Sequence, residues 1–477
     1  MLGGVQGLSV LLQLVRTKLV AMFIGPEGVG LTSIFNQARE LIHTTSNLGL
    51  DASGIRGISA SYEQWRQAGT AEQKSAAQLA MSDQISMLRS WVMILAALGV
   101  LLCIVLAAPL SRFSFENYDH ILEFVLLAPA VGFSTLACGE LVVLRAIRRL
   151  KAIALVSMLN VVAGIIVTVP IYYLWGISGV VFALVAFGLA QAFIVMCFSF
   201  HYARPRYCFG VEGLKKGLPM FQLGLSFVIS GIMASGMELF IRTYINGIGS
   251  EYSVGLYQAG YTITSTYAAL VFTAFESDYF PRLSGVITDL KLRCQTVSQQ
   301  LEVVLMLIGP ILVAMTIALP VLLPLLYTDE FCEVIPMTQI AVVSILFRAI
   351  YLPMVYLPLA AGHSRTYLFI QFIGSLDLLL VAFGYSLYGL WGAGLGLTAG
   401  NFIDMLLVHA YARYKYNVRI SSHVLCMIGV YAAFVLLTYA LTLVLDGASY
   451  WVSGVLLVVL SSGYSLYHYR HVPRVVS

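Results

Sequence analysis

The chain has 477 residues, of which 59% are hydrophobic and only 10% are charged, and its formal net charge is +4. A typical soluble domain has about 25% charged residues, and the mean hydropathy here is +0.87, so a soluble globular protein is excluded. Apolar runs of about 18 residues or more recur along the chain, and each can cross about 30 Å of hydrocarbon as a helix. Runs such as 91–108 lack the apolar–polar alternation of β-barrel strands.

The sequence predicts an all-α polytopic membrane protein with about fourteen transmembrane helices. In chain order, the predicted spans cover residues 2–24, 29–55, 83–108, 121–143, 152–174, 178–201, 218–247, 254–278, 298–323, 335–360, 366–386, 390–412, 424–445 and 450–469. The longest loop, 56–82, is polar and of mixed charge. No loop is long enough to form a separate soluble domain.

The distribution of positive charge predicts the orientation of these spans. The loops that follow even-numbered spans, together with the C-terminus, hold 20 of the 27 Lys and Arg residues, whereas the opposite loops hold only Arg112. Lys and Arg are enriched in cytoplasmic loops. We therefore expect both termini to be cytoplasmic.

The cysteines and the N-terminal segment do not indicate secretion or a metal centre. The seven Cys residues show no CxxC or Cys/His spacing, so neither a disulfide nor zinc is predicted. The first apolar stretch continues into Arg16 and Lys18 without a small-residue cleavage site, which argues against a cleavable signal peptide. Because that stretch begins almost at Met1, we expect the natural start to lie slightly upstream.

Two pairs of short motifs indicate an internal repeat. Val-Gly-Leu occurs at 29–31 and at 254–256, and WGISG at 175–179 resembles YGLWG at 388–392. The implied repeat has six spans, and an even number gives two parallel lobes around a central cavity. The predicted parts are an N-terminal lobe over 1–216, a C-terminal lobe over 217–419, and two additional spans with a short cytoplasmic tail over 420–477.

Six cations fall inside the predicted spans. They are Arg16, Lys18, Arg39, Arg89, Arg242 and Arg348. A charge at bilayer depth costs several kcal/mol and usually faces a cavity where it has a function, so the spans are predicted to enclose a positively charged cavity for an anionic substrate. Arg89 is close to a predicted cytoplasmic helix end and is interpreted as a headgroup anchor, whereas the role of Arg348 stays open.

The segment TKLVAMFIGPEGVGL at 17–31 resembles the first-hairpin signature of Wzx-type flippases for lipid-linked oligosaccharides such as O-antigen units. Further similar segments are VGLYQA at 254–259 and FPRLS at 280–284. The Wzx-type flippases form a polysaccharide transporter family within the multidrug/oligosaccharidyl-lipid/polysaccharide exporter superfamily.

This resemblance implies translocation of an undecaprenyl-pyrophosphate-linked oligosaccharide from the cytoplasmic to the periplasmic leaflet of the bacterial inner membrane, by alternating access. It also implies a cationic cavity lined by the first two helices of each lobe. Lys18 and Arg242 match recurrent basic positions of the family, and Arg16 and Arg39 lie near such positions. The predicted pyrophosphate and glycan site is therefore Arg16, Lys18, Arg39 and Arg242. The alternative for these cations is contact with headgroups, or pairing with acids such as Glu238, one helical turn before Arg242.

Acids inside the spans suggest coupling to H⁺ or Na⁺, with no other cofactor. Asp377, Thr398, Asn401 and Asp404 offer oxygen ligands on adjacent helices, which suits a hard cation. The resemblance to lipid II flippases adds Glu238 to this set. Alternatively, the acids neutralise buried cations. Glu40 adjoins Arg39, and since neighbouring residues do not share a helix face, it is expected to point elsewhere.

Two other functions compete with the flippase hypothesis. A multidrug and toxin exporter of the same superfamily would need acids to attract cationic drugs. A membrane enzyme would need a large external loop, and no such loop or nucleophile constellation is present, so no enzymatic activity is predicted. The expected partners are the polyprenyl-linked glycan, membrane lipids and the polysaccharide polymerase machinery, and no nucleic acid.

Overall fold

The computed structural model describes residues 2–471, and it describes the backbone only at 2–6, 51–53, 211–227, 266–267, 269–271, 273–277, 364 and 471. Every regular element in this part of the chain is helical. The α-helices are α1 Leu2–Asn47, α2 Leu50–Gln67, α3 Ala71–Val105, α4 Ala107–Phe115, α5 Ile121–Ala146, α6 Leu150–Trp175, α7 Val180–Tyr202, α8 Val211–Ile248, α9 Glu251–Tyr261, α10 Ala268–Val286, α11 Leu290–Leu326, α12 Ile335–Ala360, α13 Ser364–Ser375, α14 Asp377–Tyr416, α15 Ser422–Val444 and α16 Gly447–His471. Two 3₁₀ turns, Gly176–Gly179 and Asp329–Val334, and a π-helical segment, Thr262–Tyr267, connect neighbouring helices.

Ten helical stretches in the described chain are long and apolar enough to cross a membrane. Three of them, Gly7–Asn47, Leu150–Tyr202 and Arg365–Tyr416, are each long enough to cross twice at 1.5 Å per residue. The eighth predicted span falls on α9 and α10. The prediction of a polytopic all-α membrane protein is thus confirmed.

Each of the three long stretches is broken at a glycine with left-handed φ. The backbone angles (φ, ψ) are 60° and −171° at Gly25, 55° and −134° at Gly176, and 61° and −143° at Gly389. Only glycine adopts such angles without strain. Gly176 and Gly389 occupy matching places in the WGISG and YGLWG motifs, so the two turns predicted to be equivalent have nearly the same conformation.

Helices that begin in polar loops start at side-chain caps. The Thr70 hydroxyl accepts a hydrogen bond from the Gln73 amide at 3.3 Å, and the Asp289 carboxylate accepts one from the Leu292 amide at 3.0 Å. The Ser421 hydroxyl accepts one from the Val424 amide at 3.3 Å. These bonds satisfy backbone donors that would otherwise be unpaired at the first turn, which explains why α3, α11 and α15 begin at these positions.

The chain folds into two compact units, Met1–Gly255 and Leu256–Ser477. In the first unit, α3 and α5 pack through a buried cluster that includes Leu88, Val92 and Val142. α8, which the repeat assigns to the second lobe, packs against α1 within the first unit. The lobe boundaries at 216 and 419 stay predictions.

A glycine crossing joins the two Val-Gly-Leu motifs inside the first unit. A Cβ built on Gly30 would lie 2.0 Å from the Glu251 carbonyl oxygen, and a Cβ built on Gly255 would lie 1.9 Å from the Pro26 carbonyl oxygen. Gly30 and Gly255 are 225 residues apart, as are Pro26 and Glu251. The contact is therefore reciprocal between positions that the repeat makes equivalent.

In the second unit, glycines bring the two limbs of α14 together. A Cβ on Gly392 would lie 1.9 Å from the Gly384 carbonyl oxygen, and one on Gly394 would lie 2.5 Å from the Met337 carbonyl oxygen of α12. Close backbone approach of this kind is common in membrane helix packing.

The two C-terminal helices pack on α11, where the Tyr450 hydroxyl donates to the Ile317 carbonyl at 2.9 Å.

Candidate substrate-binding and ion-coupling sites

Arg39 extends from α1, after the Gly25 break, towards α5. Its Nε and Nη2 atoms donate to the Asn36 side-chain oxygen at 3.2 and 3.0 Å, and Nη1 donates to the Ser134 hydroxyl. Nη2 also lies 3.4 Å from a Glu40 carboxylate oxygen, so the expectation that Glu40 points elsewhere is wrong. The Arg39 side chain is long enough to bend back to its neighbour. It remains 19% exposed.

Arg39 lines a polar cavity of about 220 Å³ between α1, α5, α6 and α7. Its polar lining residues are Arg39, Glu40, His43, Ser134, Cys138, Ser157, Asn160 and Gln191. The Asn160 side-chain oxygen is buried and has no hydrogen-bond partner among the described residues. The sequence prediction missed most of this set, because only the packing of the four helices shows that these side chains face one space.

Arg16 packs between α6 and α7. Its Cζ atom lies 4.6 Å from the centre of the Phe187 ring, a cation–π distance. A Cβ built on Gly164 of α6 would lie 3.0 Å from the same Cζ atom, so the guanidinium group packs directly against this glycine. The Arg16 Nε atom is buried without a hydrogen-bond partner among the described residues. Lys18 lies in the same limb of α1 and is partly exposed.

Arg242 on α8 is 3% exposed. Its Nε atom donates to the Ser33 hydroxyl of α1 at 2.7 Å, and Nη1 donates to the Glu238 carbonyl at 2.7 Å. Nη1 also lies 3.4 Å from a Glu238 carboxylate oxygen, so the pairing that the spacing allows is present. The guanidinium groups of Arg16, Arg39 and Arg242 therefore meet different neighbours within the first unit.

Arg89 is part of a buried ion pair rather than a headgroup contact. Its Nε and Nη2 atoms each lie 2.8 Å from a Glu140 carboxylate oxygen, and the residue is only 2% exposed. Nη1 and Nη2 also donate to the carbonyls of Arg204 and Ala203. This bidentate geometry ties α3, α5 and the end of α7 together.

In the second unit, the Cζ atom of Arg348 lies 5.6 Å from the centre of the Phe272 ring.

The structure brings Asp377 and Asp404 together. Their carboxyl groups lie against each other across the two limbs of α14, and two carboxylates in contact repel each other unless a proton or a cation lies between them. A Cβ on Gly400 would lie 2.7 Å from Asp377 Cγ, and one on Gly374 would lie 3.1 Å from an Asp404 carboxylate oxygen. The two glycines thus make room for the carboxyl pair.

Thr398 and Asn401 make other bonds near this pair. The Thr398 hydroxyl donates to the Ile340 carbonyl at 2.8 Å, which links α14 to α12. The Asn401 side-chain oxygen accepts from the Tyr351 hydroxyl at 3.3 Å. Among the described residues, no group of three or more His, Cys, Asp or Glu side chains could hold a metal ion.

Glu251 lies at the glycine crossing, at the start of α9. Burial raises the pKa of its carboxyl group, and the nearby carboxylates of Glu27 and Glu123 raise it further, whereas His120 lowers it. Its backbone carbonyl is the one that Gly30 approaches. The charge of Glu251 is thus unfavourable in the folded state.

Residues 76–336 match the sequence profile of a family described as polysaccharide biosynthesis protein, which is more than half of the chain. The chain belongs to this family. The family resemblance predicted from the sequence is thus confirmed. None of the curated proteins matches the chain significantly in sequence.

Solved structures share the fold of this polysaccharide biosynthesis protein. The lipid II flippase MurJ in an inward closed conformation has a TM-score of 0.69 at 13% identity, over 98% of each chain. A multidrug resistance MATE family transporter of the MOP superfamily in an inward-facing conformation has a TM-score of 0.67 at 14% identity, over 86% of this chain and 94% of that one. An outward-facing MATE structure has a TM-score of 0.57 at 16% identity, over 87% and 93%.

Proposed function

We propose that the protein is a flippase that moves an undecaprenyl-pyrophosphate-linked oligosaccharide from the cytoplasmic to the periplasmic leaflet of the bacterial inner membrane. The glycan is an O-antigen-like or related surface polysaccharide unit. The observation that carries the proposal is Arg39, a partly exposed guanidinium that lines a polar cavity inside a membrane-spanning member of a polysaccharide biosynthesis family.

The chemistry of Arg39 suits a phosphate ligand. A guanidinium has five N–H donors in a fixed fork that matches phosphate oxygens. The present acceptors of Arg39, namely Asn36, Glu40 and Ser134, hold the fork in place and can be exchanged for phosphate oxygens. Lys18 and Arg16 on the preceding limb of α1 add positive charge.

Translocation requires no bond to be made or broken in the substrate. The head group enters the cationic cavity from the cytoplasmic side while the polyprenyl tail stays in lipid. Rocking of the two repeats then exposes the head group to the periplasm. The protein thus acts as a transporter rather than an enzyme, with the polysaccharide polymerase machinery as the next user of its product.

The test is surface glycan display by cells that carry Lys18→Ala, Arg39→Ala or both. Each charge-assisted bond to phosphate contributes about 1.5–3 kcal/mol, so display should fall at least about tenfold at unchanged protein level. Arg365→Ala, which removes an exposed cation, is the control and should leave display intact. Normal display by the Lys18→Ala/Arg39→Ala double variant would falsify the proposal.

We further propose that Asp377 and Asp404 couple transport to H⁺ or Na⁺ as an antiporter. The close approach of the two carboxyl groups supports this, because proton loss or cation entry would change the packing of the two limbs of α14. In reconstituted vesicles, Asp377→Asn and Asp404→Asn should abolish the dependence of transport on an ion gradient. Asp329→Asn, at an exposed position, is the control. Gradient-dependent transport by both variants would exclude this site.

The proposed topology places both termini in the cytoplasm. Its support is the bias of 20 among 27 Lys and Arg residues to one set of loops. A reporter enzyme that is active only in the periplasm should be inactive when fused to the C-terminus. Reporter activity at that position would place the C-terminus in the periplasm and contradict the proposed topology.

A multidrug exporter is the second candidate, and Glu40 favours it. Its carboxylate is 47% exposed and lines the same cavity, where it can attract a cationic drug. Drug resistance that depends on Glu40, in cells whose glycan display is unaffected by Arg39→Ala, would favour this second function.

A further inference from the structure

The cavity beside Arg39 contains hydrogen-bond acceptors as well as the donors that a phosphate requires. Arg39 supplies N–H donors, which match the acceptor oxygens of a phosphate. The same cavity also presents acceptors, namely the Glu40 carboxylate and the side-chain oxygen of Asn160. An ionised phosphate has only acceptors and cannot satisfy either of them.

The side-chain oxygen of Asn160 indicates which kind of hydrogen-bonding group a ligand of this cavity carries. It is buried and has no hydrogen-bond partner among the described residues. Leaving a buried acceptor unpaired is unfavourable, and most such groups in native proteins are paired. A ligand group that brings an O–H or N–H donor into the cavity would pair this oxygen directly.

The size of the cavity limits that group. Its volume is about 220 Å³, well above the about 10–15 Å³ that a single water needs. That space accommodates one sugar ring next to a phosphate group and is small for a whole oligosaccharide. The amides of Asn160 and Gln191 and the hydroxyl of Ser134 both donate and accept hydrogen bonds, as the hydroxyl groups of a sugar require.

We propose that this cavity is a monosaccharide subsite that binds the sugar bonded directly to the pyrophosphate, with Arg39 on the phosphate and Asn160 and Gln191 on the sugar. The inference rests on the proposed flippase function. The donor and acceptor sides lie in one cavity, so the phosphate and the group attached to it fill it together. The remaining sugars of the oligosaccharide extend outside this subsite.

Such a subsite discriminates by polar matching. A ligand without the sugar makes no direct hydrogen bond to the buried oxygen of Asn160, and sites built to hydrogen-bond a hydroxyl group reject ligands that lack it. We therefore expect the full-length protein to bind a polyprenyl diphosphate that carries one sugar at least about tenfold more tightly than the same diphosphate without sugar. Hexose and N-acetylhexosamine versions of the first probe test both common donor patterns.

The experiment measures the dissociation constants of these probes for the purified protein in lipid nanodiscs. Asn160→Leu and Gln191→Leu should bring the sugar-bearing probes to the affinity of the bare diphosphate and leave the bare diphosphate unchanged. Arg39→Ala should weaken all probes. Gln84→Leu is the matched control, because Gln84 also has a buried side-chain oxygen without a hydrogen-bond partner among the described residues, but does not line this cavity. Thermal unfolding of each variant verifies that it is folded.

The outcomes separate the two proposals. If no probe binds to the wild type, the flippase proposal fails and the subsite fails with it. If bare and sugar-bearing probes bind equally tightly to the wild type, the subsite is refuted while the phosphate site stands. A preference for sugar that survives Asn160→Leu and Gln191→Leu would place the sugar elsewhere, and an equal loss for all probes would assign Asn160 to the phosphate site or to the fold.

Discussion

Replacing Gly30 with alanine should force apart the two helices that cross at Gly30 and Gly255. The new Cβ would lie 2.0 Å from the Glu251 carbonyl oxygen, and folded proteins essentially never bring a Cβ closer than 3.0 Å to another heavy atom. The backbones must therefore separate by about 1 Å or more. Overpacking of this kind typically costs about 1–3 kcal/mol, and here the obstacle is backbone, which cannot move aside by a rotamer change.

The measurement is the thermal unfolding midpoint of the purified protein, with Gly429→Ala as control. Gly429 also lies inside a helix, but nothing would lie within 4 Å of a Cβ there, so its replacement should be neutral or stabilising by up to about 1 kcal/mol. Gly30→Ala and Gly255→Ala should each lower the midpoint. If Gly30→Ala behaves like Gly429→Ala, the crossing is not a tight contact and the reasoning is refuted.

The double variant tests whether the two glycines share one contact. Once Gly30→Ala has separated the two helices, Gly255→Ala requires less further separation of their backbones, because its Cβ would meet the Pro26 carbonyl at the same crossing. The combined loss should thus be clearly smaller than the sum of the single losses. Additive losses would mean that the two positions are energetically independent.

Three further predictions concern charged groups. Arg89→Met and Glu140→Gln should each destabilise the protein by about 3–5 kcal/mol, because each leaves one buried partner without its counter-charge. The double variant should recover much of this loss of stability. Thermal unfolding measures the three stabilities, and additive losses would contradict the prediction. Arg242→Ala should lower the amount of folded protein in the membrane, whereas Lys18→Ala should lower glycan display at normal protein level, and the reverse pattern would exchange their roles. Because the folded-state pKa of Glu251 is raised, its contribution favours folding below pH 4.5 and is lost as pH rises through the folded-state value. Glu251→Gln should therefore be more stable than wild type at pH 7, with the gain fading towards pH 4, and an equal gain at both pH values would show that its charge is not the cause.

The spans and the turns could be predicted because their signals are local. Apolar runs of membrane length are read directly from the chain, and the Gly176 and Gly389 turns follow from motifs in which glycine permits a left-handed φ. The same reasoning fails where a contact depends on tertiary packing. Arg89 and Glu140 are 51 residues apart, and nothing in either segment indicates that they meet.

The polar cavity could not be predicted for the same reason. His43, Asn160 and Gln191 belong to three different helices, α1, α6 and α7, and Asn160 and Gln191 are each flanked by apolar residues. Only the packing of those helices shows that they face one space. Arg39 was predicted as a site residue from its charge, which carries a cost in any membrane span wherever its neighbours lie. Charges in apolar helices are thus easier to single out from the sequence than neutral hydrogen-bonding groups.

Lys18 and Arg242 precede the two Val-Gly-Leu motifs, but their surroundings differ. Lys18 lies seven residues before Gly25, and Arg242 lies seven residues before Gly249. Arg242 has Glu238 one turn earlier and is buried against Ser33, whereas the position one turn before Lys18 is Leu14, and Lys18 is partly exposed. Arg242 therefore ties α8 to α1, whereas the partly exposed Lys18 is the cation of the two that the proposed function assigns to an anionic head group.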